Sequence, residues 1–282
     1  MLSPLRYPGG KSDFAPTAAE ILSRCNLFER PLCEPFAGSA AVSLYLLDIQ
    51  AIPSAHLFEK DPLIFSFWYS IKHHFDEFIG KFLNLSINLD TWKTLRHLLS
   101  IEQPDSSNIV DLGVACLFFN RTNFSGIINA GPIGGMTQSS KYSIDCRTNK
   151  DELIIRLLSI SMISNNIFIT FGDGLEAINN DNEFKNYTLY IDPPYFEKGE
   201  LLYRKHYKLS DHKQLAKSLG TCTKPWLLSY DDHHVIEFLY ANQKIKRVKF
   251  RYSVHSPKNH DELLISNFEI PFDPEVTRQS RN

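Results

Sequence analysis

Tyr187-Thr188-Leu189-Tyr190-Ile191-Asp192-Pro193-Pro194-Tyr195 decides the fold. A strand-like run of β-branched and aromatic residues feeds a rigid tetrapeptide. That puts a carboxylate, a free backbone carbonyl and an aromatic ring at the carboxyl edge of a sheet, the edge where open α/β sheets bind ligands. Each proline fixes φ at about −65° and donates no backbone hydrogen bond, so the tip is stiff. A planar nitrogen base with an amino group needs such a set: two acceptors for its N–H bonds and a face to stack on. The plainer reading is a tight turn after a strand, because Asp-Pro often starts turns.

Outward from this stretch, short strands and helices alternate. Strands are expected at 32–36, 55–59, 167–171, 188–191 and 226–229, with helices at 14–25, 39–47, 109–120, 210–219 and 232–241. From Ile64, apolar residues recur through Phe82 with the helical period of one buried face. Asn149 and Glu152 form a plausible capping box for a helix to about residue 161. Residues 125–142 are rich in Gly, Ser and Asn and have no period. Val248, Phe250, Tyr252 and Val254 alternate with polar residues, and Leu263-Leu264-Ile265 is their natural partner across a turn at Ser256–Asn259. The expected fold is α/β: a Rossmann-like, mostly parallel sheet with a C-terminal hairpin strand as its one antiparallel edge, and a mainly helical insertion. From Pro271 the polar chain is expected to fray.

The 282 residues, 43% of them apolar, suffice for one large domain or a domain with an insertion. A formal charge of −2 excludes a global polycation, so any nucleic-acid contact needs a local basic face. Two candidates are Lys244, Lys246, Arg247, Lys249, Arg251 and Lys258, and Arg204, Lys205 and Lys208; a solvated strand face explains such runs equally well. Five scattered cysteines without a C-x-x-C pair read as reduced thiols of a cytoplasmic protein. No signal-peptide core, membrane span or metal-ligand pattern is visible, so no metal and no membrane are expected.

If the sheet is parallel, four strand tips converge. Glu34-Pro35-Phe36-Ala37-Gly38-Ser39 supplies a glycine turn that lets a ligand approach the backbone, though an ordinary turn reads the same way. Glu59, with Asp61 as the near alternative, is placed to bond ribose hydroxyls. Asp173 can accept from an adenine amino group, and Asp192 is the fourth. No G-x-G-x-x-G fingerprint exists, so the sheet is expected to hold a nucleoside without a pyrophosphate, a description S-adenosylmethionine fits. Gly9-Gly10-Lys11-Ser12 copies the tail of a P-loop but lacks its first glycine and preceding strand. Tyr7 and Lys11 can instead cover an adenosyl ring and a ligand carboxylate.

Arg6-Tyr7-Pro8-Gly9-Gly10-Lys11, Glu34-Pro35-Phe36-Ala37-Gly38, Asn120-Arg121-Thr122-Asn123-Phe124-Ser125-Gly126, Asp192-Pro193-Pro194-Tyr195 and Asp261-Glu262-Leu263-Leu264 follow one another in an order that resembles the Dam-like N6-adenine DNA methyltransferases. The resemblance spans Leu5 to about Phe268. It implies a class I, S-adenosylmethionine-dependent enzyme acting on a flipped-out adenine of double-stranded DNA. It assigns cofactor contacts to Tyr7, Lys11, Glu59 and Asp192, the target-base site to Asp192, Pro193 and Tyr195, and DNA reading to the region from Asn120 to Lys141, Ser125 included. Pro194 stiffens the target site; Glu34, Phe36, Ala37, Gly38 and Asp173 complete the expected cofactor set. Arg6, Arg121 and Lys141 are the charged candidates for bases or phosphates. The implied division is a catalytic domain at 1–64 and 161–270, a target-recognition insertion at 65–160 and a flexible tail at 271–282. A monomer is expected, and a cognate restriction endonuclease is a candidate partner. Cytosine-N4 methylation, protein glutamine methylation and a DNA-binding relative without catalysis are the competing readings. One departure stands out: the family's second turn glycine is Ala40 here, one methyl more where a ligand comes close.

Overall fold

The computed structural model describes residues 3–6, 11–251 and 261–277. Tyr7 and the turn at Ser256–Asn259 lie outside the described residues. Strands β1 (Leu32–Glu34), β2 (Ala55–Glu59), β3 (Ile167–Phe171), β4 (Thr188–Ile191), β5 (Trp226–Asp231), β6 (Lys244–Arg251), β7 (Asp261–Ser266) and β8 (Glu275–Thr277) form one sheet. Their order is β3-β2-β1-β4-β5-β7-β6-β8. The first five are mutually parallel, and β7 runs antiparallel to β5 and β6.

Helices are α1 (Ala15–Arg24), α2 (Ala41–Asp48), α3 (Pro62–His73), α4 (Phe75–Asn84), α5 (Leu89–Leu95), α6 (Ile109–Thr122), α7 (Lys150–Met162), α8 (Leu175–Asn179), α9 (Gly199–Leu202), α10 (Leu209–Thr221) and α11 (His234–Leu239). Strand side chains alternate between two apolar layers, as a period of two demands. Leu32, Leu57, Tyr190, Leu227 and Leu264 enter one layer; Cys33, Phe58, Leu189, Ile191 and Leu263 enter the other. Central strands covered on both faces carry little polar surface, and β1 and β4 are buried throughout.

Three expectations are corrected. The apolar period from Ile64 to Phe82 belongs to two helices, because His74 (φ −139°, ψ 39°) breaks the chain between α3 and α4. The antiparallel strand is not at the edge: β7 sits between β5 and β6, where Leu263, Leu264 and Ile265 are fully covered. The tail does not fray from Pro271, since β8 pairs in parallel with β6, with Val276 buried and the Glu275 carbonyl accepting from Thr17 Oγ1 at 3.2 Å.

A border at residue 65 falls inside α3, whose Phe65 packs on Phe171 of β3 with ring centroids 5.0 Å apart. Phe78, Phe82, Trp92 and Phe118 belong to the same apolar cluster as the sheet residues Leu32 and Leu57. The helices between β2 and β3 therefore share the core of the sheet. No described helix is long and apolar enough to cross a membrane.

Candidate active site

The carboxyl ends of β1, β2, β3 and β4 open onto one cleft of ≈ 960 Å³, counting the solvent at its mouth. Phe36, Ala37, Gly38, Glu34, Glu59, Asp173, Asp192, Pro194 and Lys11 all line it. So do Gly126, Ile127 and Ile128 from the loop after α6, so this loop meets the sheet at the cleft. Gly126 has φ +77°, and a Cβ there would meet the Arg6 carbonyl oxygen at 2.5 Å. Only glycine lets the N-terminal segment pass this close.

The first turn is held by its own chain. Gly38 N donates to Glu59 Oε2 at 3.0 Å, and Asp61 N donates to Oε1 at 2.8 Å. Burial, with the neighbouring Asp61 charge adding to it, pushes the Glu59 carboxyl up to about 7. Each oxygen carries one backbone donor and retains a lone pair for a ligand hydroxyl. Asp61, the alternative, is committed: it caps α3 through Leu63 N at 2.9 Å and pairs with Arg204 Nη1 at 3.0 Å. Glu34 caps α2, accepting from Ser43 N at 2.7 Å. Burial lifts it to about 8, with the Asp192 charge contributing and hydrogen bonding from Ser43 holding it back in part.

Ala40 adopts a left-handed conformation, φ 48° and ψ 32°, the region a glycine occupies without cost. An L-residue there forfeits roughly 1–2 kcal/mol. Its methyl packs into the apolar core, and Ala40 is not among the residues lining the cleft. The departure from the family pattern thus strains the backbone without narrowing the cleft.

Asp173 accepts from Lys60 Nζ at 2.8 Å and from Leu175 N at 3.1 Å. Between it and Phe36 stands Tyr207, edge-on to Phe36 with centroids 5.6 Å apart. The Tyr207 hydroxyl is buried and lacks a hydrogen-bond partner among the described residues. A buried, unpaired hydroxyl costs about 1–3 kcal/mol. A polar ligand in the cleft, which Tyr207 lines, would remove that penalty.

At the tip of β4, Asp192 Oδ1 accepts from Ser229 Oγ at 3.0 Å and forms an ion pair with Lys11 Nζ at 2.9 Å. Ser229 is tied in turn to Tyr190 Oη at 3.1 Å. Lys11 also lies 3.3 Å from Glu262 Oε2 and donates to Tyr195 Oη at 3.3 Å, while Tyr195 donates to Glu262 Oε1 at 3.1 Å. Burial by itself would lower the Lys11 ammonium, but the two flanking carboxylates outweigh it and hold it well above the ordinary lysine range. Beyond Tyr195, Asp231 at the end of β5 receives Phe196 N at 2.9 Å and Glu197 N at 3.1 Å, which fixes the chain leaving the tetrapeptide. Lys11 was expected to hold a ligand carboxylate; here it is engaged by the protein's own.

Of the residues expected to face DNA, two sit elsewhere. Asn120 is buried; its amide bonds the Arg6 N–H and carbonyl at 2.7 Å each and the Gly126 carbonyl at 3.1 Å. Arg121 is buried and donates to the Pro4 carbonyl. Both are corrected to anchors of the N-terminal segment, because both side chains are buried inside the fold and bond its backbone. Arg6, Ser125 and Lys141 are exposed, and they share the surface with Phe124, Met136 and Tyr142, whose exposures are 68%, 55% and 60%. Within the basic runs, Lys244, Lys246 and Arg247 pair with Glu269, Asp273 and Asp232, and Arg204 and Lys205 pair with Asp61 and Glu102.

Sequence reasoning assigned no role to Ser229, Asp231, Tyr207 or Glu262. The signal for the first two was the Ser229-Tyr230-Asp231 run closing a strand adjacent to β4, since neighbouring tips share a rim.

The profile of the D12 class N6 adenine-specific DNA methyltransferase family matches residues 7–254. No curated protein is significantly similar in sequence. Solved structures similar to this chain include a methyltransferase candidate of Escherichia coli, 10% identical, covering 91% of this chain and 85% of its own at a TM-score of 0.36. A methylase candidate of Haemophilus influenzae is 12% identical over 91% of this chain and 89% of its own, TM-score 0.38. The TrmK protein of M. capricolum, in complex with S-adenosyl-homocysteine, is 8% identical over 93% and 71%, TM-score 0.34. At TM-scores under 0.5 these likenesses carry no argument.

Proposed function

The chain belongs to the D12 class N6 adenine-specific DNA methyltransferase family, and from that premise we propose that it methylates the N6 amine of an adenine flipped out of duplex DNA. One observation carries the reading. Asp192, at the tip of β4 and partly open to solvent, lines the same cleft as the glycine turn, Glu59 and Asp173. An acceptor for an amine and a nucleoside site thus share one space.

S-adenosylmethionine fits that space chemically. Glu59 would take the ribose hydroxyls, Asp173 and the orphaned Tyr207 hydroxyl would meet adenine, and Phe36 would cover the ring. When bound, it supplies an electrophilic sulfonium methyl. The amine of adenine is a poor nucleophile because its lone pair is delocalised into the ring. Asp192 and the Pro193 carbonyl accept its two N–H bonds and draw the nitrogen toward sp³ geometry. Displacement would then be direct: the N–CH3 bond forms as the S–CH3 bond breaks, the thioether leaves and the surplus N6 proton passes to Asp192 or solvent, with positioning and electrostatics providing the acceleration. Extruding the base costs a few kcal/mol. Stacking on Tyr195 returns roughly 1–3 kcal/mol.

The face that reads DNA in this proposal is the loop from Phe124 to Tyr142, exposed beside the cleft it helps to line. Arg6, Ser125 and Lys141 belong to it, and exposed Phe124 and Tyr142 offer rings to bases. The test is to incubate the protein with S-adenosylmethionine and unmethylated bacterial genomic DNA, digest to nucleosides and identify the product by mass. N6-methyl-2′-deoxyadenosine is expected. N4-methylcytosine alone, or methylated protein with unmodified DNA, would overturn the proposal.

A further inference from the structure

We infer that Glu262 is a positioning residue of methyl transfer: it holds Lys11 and Tyr195 together so that Asp192 stays a correctly aimed acceptor. This rests on the amine-methylating reading above. Three strands and the N-terminal segment meet here. Glu262 comes from β7, Asp192 and Tyr195 from the tip of β4, Ser229 from β5, and Lys11 from just before α1. The carboxylate of Glu262 divides its oxygens, Oε2 to Lys11 at 3.3 Å and Oε1 to the Tyr195 hydroxyl at 3.1 Å. It thereby ties the cation that steadies the acceptor to the ring that would stack on the base.

The charge count explains why a second carboxylate is needed. Lys11 is buried, and a lone Lys11–Asp192 pair would satisfy itself: the ammonium, 2.9 Å from Oδ1, would drain the acceptor strength Asp192 must offer to the amine. Glu262 takes a share of that charge. With Ser229 and Lys11 both on Oδ1, no hydrogen bond among the described residues engages Oδ2 of Asp192, and that oxygen is available to an incoming N–H. Other titratable groups facing the trio are Glu34 from β1, Tyr190 from β4, and Tyr195 and Tyr203 from the segment after β4. Glu34, raised by burial to about 8, titrates alike in wild type and variants, and the tyrosines remain neutral near pH 7, so comparison of the variants isolates the charge of Glu262.

The test compares wild type, Glu262→Gln and Glu262→Asp with tritiated S-adenosylmethionine and unmethylated bacterial genomic DNA between pH 5 and 9. Glu262→Gln is expected to lose roughly 10–100-fold in kcat, the order a misplaced reacting group costs. KM for cofactor should stay within about twofold. The acid limb of kcat should move down in pH, because the Glu262 carboxyl, which burial raises above its ordinary range, no longer titrates. Glu262→Asp keeps the charge and should hold the wild-type limb and recover part of the rate. Wild-type kcat and limb in Glu262→Gln would overturn the inference, and so would equal losses in both variants with the limb unmoved. An inactive wild type would instead indict the proposed function, so the two failures are distinguishable.

Discussion

Replacing Glu34 by Gln should make the protein more stable in alkali and change little in mild acid. Glu34 is buried at the end of β1 with one oxygen on Ser43 N, and burial raises its carboxyl from the ordinary 4.5 to about 8. The folded protein therefore keeps a proton that the unfolded chain surrenders near pH 4.5. Stability from this group is fully present below that pH and is lost as pH rises through about 8. The gap is about 3.5 pH units (8 minus 4.5), and ~1.36 kcal/mol per unit caps the loss at ~5 kcal/mol. Relaxation around the ionised group should halve that figure, to roughly 2–3 kcal/mol. Glutamine has the same shape, still accepts from Ser43 N and does not titrate. Urea unfolding of both proteins at pH 5, 7 and 9 isolates the effect as a double difference that cancels every other group. The variant should gain on wild type steadily with pH and exceed it at pH 9. Parallel pH profiles would refute the reasoning, because they would mean that Glu34 is ionised in the folded state throughout.

Tyr207→Phe should weaken S-adenosylmethionine binding about three- to tenfold by calorimetry, the worth of one neutral hydrogen bond, while leaving the melting temperature of the free protein unchanged or higher, since the lost hydroxyl is orphaned there. Gly174→Ala should cost ~1–3 kcal/mol or more in chemical unfolding, because its Cβ would sit 2.0 Å from the Pro35 carbonyl oxygen and force the first and third strand tips apart. Arg204→Met should cost roughly 3–5 kcal/mol in the same assay, because Asp61 would be left buried without its cation and the bond from Arg204 to the Leu99 carbonyl would be lost.

Much of this architecture was legible because the core strands are short apolar runs ending in chemistry-bearing residues. Glu34, Glu59, Asp173 and Asp192 each fell at a strand tip, and a parallel sheet brings such tips to one rim. What periodicity could not reveal was pairing. β8 is three residues whose only apolar member is Val276, too short for a pattern, and its place depends on the open edge of β6. Nor does charge in sequence reveal charge in space. Arg121 looked like a phosphate contact and is spent on a backbone carbonyl, whereas Lys11 looked like a ligand clamp and is held by Asp192 and Glu262, which lie far along the chain. Ala40 was legible as a departure from a motif. Its strain and its direction needed the backbone.

The most direct test of the central claim is methyl transfer by Asp192→Ala, measured beside its DNA affinity. If the carboxylate at the tip of β4 accepts the amine's hydrogen bonds, turnover should fall by at least about 10²-fold, as when one preorganised partner of a transition state is removed, while anisotropy on duplex DNA stays near wild type. Turnover within tenfold of wild type, in a variant that still binds DNA, would contradict it.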